Sequence, residues 1–486
     1  MNRLKGILSW RHLRWVACAA VIPALWACNA RKLAPPSGSP AVIQKNRFQQ
    51  SVNRDLDLLF LIDDSNSMAP LQAKMRARMP DFMDVLKGLP GGLPNLHVAV
   101  ASSSLGAGVF ANVTGCAQST SGNLEGLFQH KAGCGLNDGE SFIKSLPGMN
   151  GQRVENFTGD ITNVFSCIAD LGQNGCGFEH QLESMRYALY RSTQPTDPNY
   201  GFIRDTAYLA VVMLTNEDDC SVDPGSTLFD PGMTTTADML GGLQSYRCNE
   251  WGHKCTSGAL PHTAPMTPVT MTGCTSNDDG RLVKVKEYVD FMKALKPEDQ
   301  ILVAAIQGPV EPYVVESRTF MLPNGGTEAQ PSVRHSCTSS GNEYADPGIR
   351  IKEFMEAFNG NIESICENDF RDAMVRIAQV ISAKLGAQCV ANNVARKQNG
   401  EFDCDVTQRQ VGAGGQNVDK GVPACTGAIP NTNASTDAPC WVLVDGSNGQ
   451  CVGQKILNVC YDAGCTAGAK PQTKTDALVA CALESQ

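Results

Sequence analysis

Residues 56–70, LDLLFLIDDSNSMAP, run an apolar stretch directly into a cluster of acids and hydroxyls. The nearly continuous hydrophobicity of residues 56–62 is typical of a central strand in a parallel sheet that is covered on both faces. The apolar residues that follow lie three or four positions apart, which is the period of one helix face: Leu71, Met75, Met79, Phe82, Met83 and Leu86. The stretch therefore predicts a strand, a polar turn and a helix over residues 69–89, with the turn at the end of the sheet where ligands bind in α/β folds.

The same alternation continues along the chain and predicts the fold class. Further strands are predicted at residues 96–104, 207–215, 300–308 and 361–366, and helices at residues 161–171, 178–190, 281–295, 348–358 and 369–385. Alternating strands and helices predict an α/β fold with a doubly wound, mostly parallel sheet. Three stretches rich in Gly, Pro, Thr or Cys break the alternation, and we interpret them as surface insertions held by disulfides: 105–150, 221–280 and 309–345.

Length and composition indicate more than one folded unit. The chain has 486 residues, of which 42% are hydrophobic and 18% charged, as in ordinary folded proteins of two or three domains. We predict a signal peptide over residues 1–27, a flexible tether over 28–50 and the α/β domain over 51–388. From residue 389 to 486 the helical period disappears, and short apolar runs among many cysteines predict a small β-type module.

The N-terminus has the features of an export segment. A basic start is followed by an apolar stretch, residues 15–27, that is too short to span a bilayer but suits a signal peptide. Residues 25–28, LWAC, resemble the bacterial lipobox, although Trp26 is bulkier than the residues usual there. We expect Cys28 to carry a lipid anchor that inserts into the lipid bilayer of the outer membrane. The sequence does not decide between the periplasmic and the outer face of that membrane. Simple cleavage near Ala27 and an uncleaved anchor are the alternatives.

Twenty cysteines in an exported chain predict disulfide bonds, because the compartment is oxidising. Ten of them lie between residues 116 and 366 and eight lie from residue 389 on, so both blocks can pair internally. Spacing leaves the connectivity open, and the plausible local pairs are Cys116 with Cys134 and Cys167 with Cys176. The formal net charge is −9, and the sequence has no basic stripe. We therefore expect no nucleic acid partner, since such proteins usually carry a basic patch.

Asp63, Ser65 and Ser67 form the pattern D-x-S-x-S, followed by Met68. This resembles the metal-ion-dependent adhesion site of von Willebrand factor type A domains, and the resemblance extends over residues 52–388. In that family the Asp and the two hydroxyls hold Mg²⁺ or Mn²⁺, directly or through water, and one position stays open for a carboxylate of the partner. The resemblance implies a non-catalytic protein that binds an acidic group on a protein or cell-surface ligand. As an alternative, both Ser residues are ordinary caps for a helix that begins near Ala69.

Two positions depart from the family pattern. The family supplies a Thr from a second loop, and in the matching stretch, residues 172–185, Cys176 stands in its place, with Glu179 just beyond as a substitute. The family also supplies an Asp after a later buried strand, where this chain has Asn216. The acids that follow at once, residues 217–219, are either ligands or a solvated loop. The predicted ligand set for Mg²⁺ or Mn²⁺ is Asp63, Ser65, Ser67, Asn216 and Asp218.

Three other interpretations compete. An envelope scaffold with a vestigial metal site explains the same residues. Cys248, His253 and Cys255, with Cys274 beyond, have the composition of a zinc site, but disulfides are favoured in an exported chain, which leaves His253 on the surface. The sequence has no H-E-x-x-H helix, nucleophile elbow or P-loop, so we expect no enzyme. The remaining catalytic alternative is a cell-surface hydrolase with Glu179 and Asp218 as paired carboxylates.

Overall fold

The computed structural model describes residues 42–49, 54–89, 92–113, 115–116, 126–148, 152–385, 389–390, 393–411, 417–426, 433–435, 438–445, 454–465 and 475–483. The predicted signal peptide, the predicted lipidation site Cys28 and the first part of the predicted tether lie outside these residues. Within the ranges just given, no helix combines the length and the apolar character needed to cross a membrane.

The described residues contain eight α-helices: α1 Ala69–Ala77, α2 Met79–Lys87, α3 Ile161–Ile168, α4 Gln181–Arg191, α5 Tyr246–Gly252, α6 Val285–Leu295, α7 Ile349–Glu356 and α8 Arg371–Lys384. They also contain the following strands: β1 Val42–Gln49, β2 Asp55–Ile62, β3 Asn95–Ser102, β4 Ile143–Pro147, β5 Arg153–Glu155, β6 Tyr208–Leu214, β7 His253–Cys255, β8 Val269–Met271, β9 Cys274–Ser276, β10 Ile301–Gln307, β11 Tyr313–Met321, β12 Thr327–Arg334, β13 Cys337–Thr338, β14 Tyr344–Ala345, β15 Asn361–Ser364, β16 Cys389–Val390, β17 Cys404–Val411, β18 Asn417–Val422, β19 Cys440–Asp445, β20 Lys455–Cys460 and β21 Thr475–Leu483.

A seven-stranded sheet in the order β15-β10-β6-β2-β3-β4-β5 carries the candidate site. The strands from β15 to β3 are parallel, whereas β4 and β5 run antiparallel at one edge. The predicted α/β fold with a parallel central sheet is confirmed. Strand β4 corrects one prediction, because residues 143–147 extend the sheet although the stretch 105–150 is predicted to be a surface insertion. Its five residues are too few to show a strand period, and pairing with β3 fixes them.

Alternate residues of the central strands face opposite sides of the sheet. On one side the ring of Phe60 packs edge-to-face against those of Phe82 and Phe165, with centroids 5.6 and 4.9 Å away, in a core that also includes α1 and α8. On the other side Leu59 and Leu61 join a second core cluster with α4, α6 and α7. Because both faces are covered, strand β2 needs the nearly continuous apolar run from which it is predicted.

The single helix predicted over residues 69–89 is two helices in the structure, and Arg78 separates them. Pro80 lies in the first turn of α2. Proline has no backbone N–H to donate to the carbonyl four residues earlier, so a continuous helix would lose that hydrogen bond. The apolar spacing correctly predicts helical structure over these residues, and the proline divides the predicted helix into two.

The disulfides described before residue 389 all close within that part of the chain, as predicted. They are Cys116–Cys176, Cys134–Cys167, Cys220–Cys248, Cys255–Cys274 and Cys337–Cys366. The predicted local pairs Cys116–Cys134 and Cys167–Cys176 are wrong. The members of each predicted pair lie in different core clusters, since Cys134 and Cys167 pack against the α1–α2 side of the sheet, whereas Cys116 and Cys176 pack with the aromatic rings of a separate cluster.

From residue 389 on, the regular elements of the described residues are all strands, in sheets of order β1-β21-β17-β18 and β16-β20-β19. Three described disulfides close within this part: Cys404–Cys481, Cys425–Cys440 and Cys460–Cys465. Strand β1 falls inside the predicted tether, and Val42–Gln49 pair with β21 along their whole length. The tether prediction is therefore wrong for these residues. An edge strand is fixed by backbone hydrogen bonds to its neighbour, and here that neighbour lies at the other end of the chain.

Candidate functional site

The D-x-S-x-S turn lies at the carboxyl end of β2, between the ends of two neighbouring strands. The backbone N–H of Asp63 donates to the carbonyl of Leu214 at the end of β6 (2.9 Å), and Ser103, just after β3, donates to Ile62 (3.1 Å). Helix α1 begins only after Met68, and no side chain in the described part of the chain caps it. The alternative in which the two Ser hydroxyls cap this helix is therefore wrong, and their presence in the turn needs another explanation.

The carboxylate of Asp63 is fully buried and held in one orientation. One oxygen accepts from the backbone N–H of Ser65 and the other from the hydroxyl of Thr215, both at 2.8 Å. Burial raises the pKa of Asp63, and these hydrogen bonds oppose the rise. Beside it the hydroxyl of Ser67 donates to the amide oxygen of Asn216 (3.1 Å), whose amide nitrogen donates to the carbonyl of Tyr344 (3.0 Å). The fold thus brings four predicted ligands to one place.

The second loop, residues 172–180, is tied to the same strand ends. Gly175 donates its backbone N–H to the carbonyl of Asp64 (2.7 Å), and His180 donates to Ser103 (3.0 Å). A Cβ atom on Gly175 would lie 2.3 Å from a carboxylate oxygen of Asp64, so only glycine allows this approach. Cys176 is disulfide-bonded to Cys116 and, as predicted, offers no oxygen where the family has Thr.

Two buried acids, Asp63 and Glu179, and the half-buried Glu217 lie at this end of the sheet. Burial raises the pKa of Glu179 well above its ordinary value, and the charges of Glu217 and Asp63 raise it further. Burial together with the charges of Asp346 and Asp63 raises the pKa of Glu217 to about 8. The neighbours that act on these carboxyls are other acids and hydrogen-bond donors rather than bases. A cation would relieve this repulsion.

Several oxygens here are buried without a hydrogen bond to any described residue: Ser65 Oγ, Glu179 Oε1 and Gln181 Oε1. The amide nitrogen of Gln181 donates to the hydroxyl of Thr215 (2.8 Å), which places this side chain beside Asp63. Carboxylate, hydroxyl and amide oxygens are the ligands of hard cations such as Mg²⁺ and Mn²⁺. Within the described ranges no three carboxylates converge to within 4.8 Å of one another, so the neutral oxygens have to complete a coordination shell.

Asp218 does not belong to this set, and its prediction as a ligand is wrong. One oxygen accepts from Nε2 of His253 (2.8 Å) and from the backbone N–H groups of Ile349 and Arg350 (both 2.9 Å), and the other accepts from Arg350 and Ile351 (both 3.2 Å). Burial opposes ionisation, but the hydrogen bond and charge of His253 and the N–H of Arg350 hold the pKa of Asp218 below its ordinary value. The carboxylate caps α7, which leaves no lone pair for a metal or for a hydrolytic pair with Glu179.

His253 is buried, and its predicted place on the surface is wrong. Its Nε2 faces Asp218, and its Nδ1 lies 2.8 Å from the hydroxyl of Tyr313. Cys248 and Cys255 are both disulfide-bonded, as the sequence favours, so their sulfurs are not zinc ligands. The sequence gives no sign of the contact between His253 and Tyr313, because the two residues belong to different insertions of the chain.

The acid after Asp218 also has a structural role that sequence reasoning missed. Asp219 is fully buried, accepts the backbone N–H of Leu182 at the start of α4 (2.9 Å) and pairs with the buried Arg350 of α7 (3.0 Å). The loop after β6 therefore binds both α4 and α7 through Asp219. Thr215 and Gln181 are likewise site residues that the sequence analysis does not predict. Thr215 could have been found, because it directly precedes the predicted ligand Asn216.

Comparisons with known proteins leave the family open. No family model matches this chain, and no curated protein matches it. Among solved structures, the human COPII-coat protein Sec24c is similar at 9% identity with a TM-score of 0.29, over 91% of this chain and 42% of that one. The pilus adhesin SpaC from Lactobacillus rhamnosus GG, in its open conformation, is similar at 10% identity with a TM-score of 0.30, over 92% of this chain and 43% of that one.

The adhesive tip pilin GBS104 from Group B Streptococcus agalactiae is similar at 10% identity with a TM-score of 0.23, over 91% of this chain and 81% of that one. This chain spans less than half the length of Sec24c and of SpaC. TM-scores this low carry no conclusion about function, so function has to be argued from the geometry of the site.

Proposed function

We propose that this chain is an exported, non-catalytic binding protein of the von Willebrand factor type A kind, in which Asp63, Ser65, Ser67 and Asn216 hold Mg²⁺ or Mn²⁺. The observation that carries the proposal is the hydroxyl of Ser65. It is buried, caps no helix and forms no hydrogen bond with a described residue, yet it lies close enough to two carboxyls, those of Asp63 and Glu179, to lower their pKa values. An oxygen in that setting fits a cation ligand.

The arrangement of the sheet supports the same proposal. Five parallel strands with helices packed on both faces fit the doubly wound arrangement of such domains. The D-x-S-x-S turn follows the central strand β2, at the end of the sheet where such folds bind ligands. The second loop and the loop after β6 meet the turn from two sides.

The partner we propose is a protein or a cell-surface ligand that offers an acidic group. Asn66 is exposed and Ser67 is half-buried, so the solvent side of the site lies at this turn. A divalent cation held at this turn can keep one coordination position open for a carboxylate that approaches from that side. The eight described disulfides are typical of an exported protein. We propose a lipid anchor at Cys28 in the outer membrane.

Calorimetric titration with Mg²⁺ and with Mn²⁺ tests the proposal. The chain from residue 28 on, with Cys28→Ser and made in an oxidising compartment, is compared with the same chain carrying Asp63→Ala. Saturable binding that the Asp63→Ala variant loses is the expected result. If neither protein binds either cation, the proposal fails, and the chain is better explained as an envelope scaffold whose metal site has lapsed.

A further inference from the structure

The second loop reaches the candidate site with an acid instead of the expected hydroxyl. Cys176 is locked to Cys116, and its backbone N–H donates to the hydroxyl of Ser104 (2.9 Å). Three residues later the carbonyl of Glu179 accepts the backbone N–H of Cys220 from the loop after β6 (2.7 Å). The backbone of Glu179 is therefore held against the strand ends.

One oxygen of the Glu179 carboxyl lacks the hydrogen-bond partner that a buried acid normally has. Only 2% of the residue is exposed, and Oε1 forms no hydrogen bond with a described residue. The hydroxyl of Ser65 is close enough to lower the pKa of Glu179, yet its oxygen also lacks a bond of normal geometry. Ser65 Oγ and Glu179 Oε1 are thus both buried without a hydrogen bond to a described residue, and the charge of Asp63 acts on the carboxyl of Glu179. A buried polar group in that state calls for a specific explanation.

Glu183, one turn further along the same segment, shows how a structural acid looks in this protein. One of its oxygens pairs with Arg186 (2.5 Å), and the other accepts from the hydroxyl of Tyr288 (2.8 Å). Glu183 and Glu179 are buried to the same degree, but only Glu183 has its oxygens satisfied. Burial alone therefore does not account for the state of Glu179.

We propose that Glu179 is a direct ligand of the cation and takes over the position that the displaced hydroxyl residue has in the resembled family. The inference rests on the cation site of the proposed function and adds a second carboxylate to it. Two carboxylates, the hydroxyls of Ser65 and Ser67 and the amide oxygen of Gln181 or Asn216 give an oxygen-only shell for Mg²⁺ or Mn²⁺. The disulfide at Cys176 then serves to fix the loop that delivers this carboxylate.

Glu179→Gln tests the inference, because it removes the charge and keeps the shape. Calorimetry with Mn²⁺ on the chain from residue 28 on, with Cys28→Ser, is expected to show an affinity at least about tenfold lower than without the substitution. Asp63→Asn should abolish binding. The matched control is Glu183→Gln, which also removes a buried carboxylate from this segment and should leave the affinity within about twofold, since the oxygens of Glu183 already bond to Arg186 and Tyr288. Glu179→Asp keeps the charge but withdraws it by one methylene, and should recover part of the affinity.

Thermal unfolding supplies a readout that a purely structural role would not give. Without a divalent cation, Glu179→Gln is expected to melt at or above the temperature of the parent protein, because it removes an acid whose ionisation is opposed by burial and by two neighbouring acids. With Mn²⁺ the parent should gain stability and the variant should not. A variant that melts lower than the parent with and without Mn²⁺ by the same amount overturns the inference.

The outcomes separate the inference from the proposed function. If Asp63→Asn abolishes Mn²⁺ binding and Glu179→Gln leaves it within twofold, Glu179 is not a ligand and the proposed function stands. If the parent protein itself binds neither Mn²⁺ nor Mg²⁺, both fail. If both variants lose affinity while Glu183→Gln does not, the second carboxylate is established.

Discussion

Asp218→Asn is expected to destabilise the protein by about 3 kcal/mol while cation affinity stays within a factor of two. The carboxylate of Asp218 accepts from four donors: His253 and the backbone N–H groups of Ile349, Arg350 and Ile351. Asparagine keeps one acceptor oxygen and turns an NH₂ group toward the donors on the other side. A buried donor left unpaired costs about 1–3 kcal/mol, and removal of one partner of a buried ion pair costs about 3–5 kcal/mol. Because the side-chain oxygen of the asparagine still accepts hydrogen bonds, we expect a loss of stability at the lower end of the second range.

Guanidinium unfolding with the disulfides intact, followed by circular dichroism, measures the loss, and calorimetry with Mn²⁺ measures the affinity. The control is Asp278→Asn, an exposed residue of the insertion 221–280 that also contains His253, with an expected change within about 0.5 kcal/mol. A loss below about 1 kcal/mol would show that the carboxylate does not hold the start of α7. Unchanged stability with a large drop in Mn²⁺ affinity would return Asp218 to the ligand set.

The pH dependence of stability gives a second test of the role of Asp218. Because the pKa of Asp218 is lowered in the folded protein, its contribution is present above the ordinary Asp value of about 4 and is lost as the pH falls through the folded value. The parent protein should therefore lose this part of its stability in acid. The Asp218→Asn variant has no such group to protonate, so the difference in stability between the two proteins should shrink as the pH is lowered.

Two further predictions concern the site. Replacing Cys116 and Cys176 by Ser opens a disulfide with a sequence separation of 60, which should lower stability by about 4 kcal/mol and weaken Mn²⁺ binding; unchanged affinity would show that backbone hydrogen bonds alone position the second loop. The pKa of Glu217 is raised from 4.5 to about 8 in the folded protein. As the pH rises, this carboxyl therefore loses its proton at a lower pH in the unfolded chain than in the folded protein. Stability without cation should fall as the pH rises between these values, by up to about 5 kcal/mol, and Glu217→Gln should flatten the fall in guanidinium titrations; an equal slope in the variant would assign it to other groups.

The part of the fold that could be predicted is the part decided by local pattern. Strand β2 and the helices on both faces follow from the apolar run at residues 56–62 and from the helical period after it. Strands β1 and β4 could not be predicted, because each is fixed by pairing with an edge and not by its own side chains. The break at Arg78 was readable in principle, since Pro80 lies two positions further on.

The candidate site divides in the same way. Asp63 and Asn216 were predictable because they lie one and two residues after a buried parallel strand, and the ends of such strands meet at one edge of the sheet. Beyond Asn216 the position of a residue after the strand no longer predicts where its side chain lies, since the backbone N–H of Glu217 donates to the hydroxyl of Thr215 (3.2 Å) and the chain turns there. The strand alternation therefore no longer places Asp218, and its partner His253 comes from an insertion whose fold has no local pattern.

The pairing of β1 with β21 has a consequence for the order in which the chain is assembled. Strand β21 lies between β1 and β17 in its sheet, so the first described strand and the sheet partner it needs emerge at opposite ends of synthesis and export. A chain that stops before residue 475 would leave the edges of β1 and β17 open, and open edges associate with other chains. Strand β21 is thus a condition for closing the sheet that contains β1, and molecules that lack it are expected to aggregate.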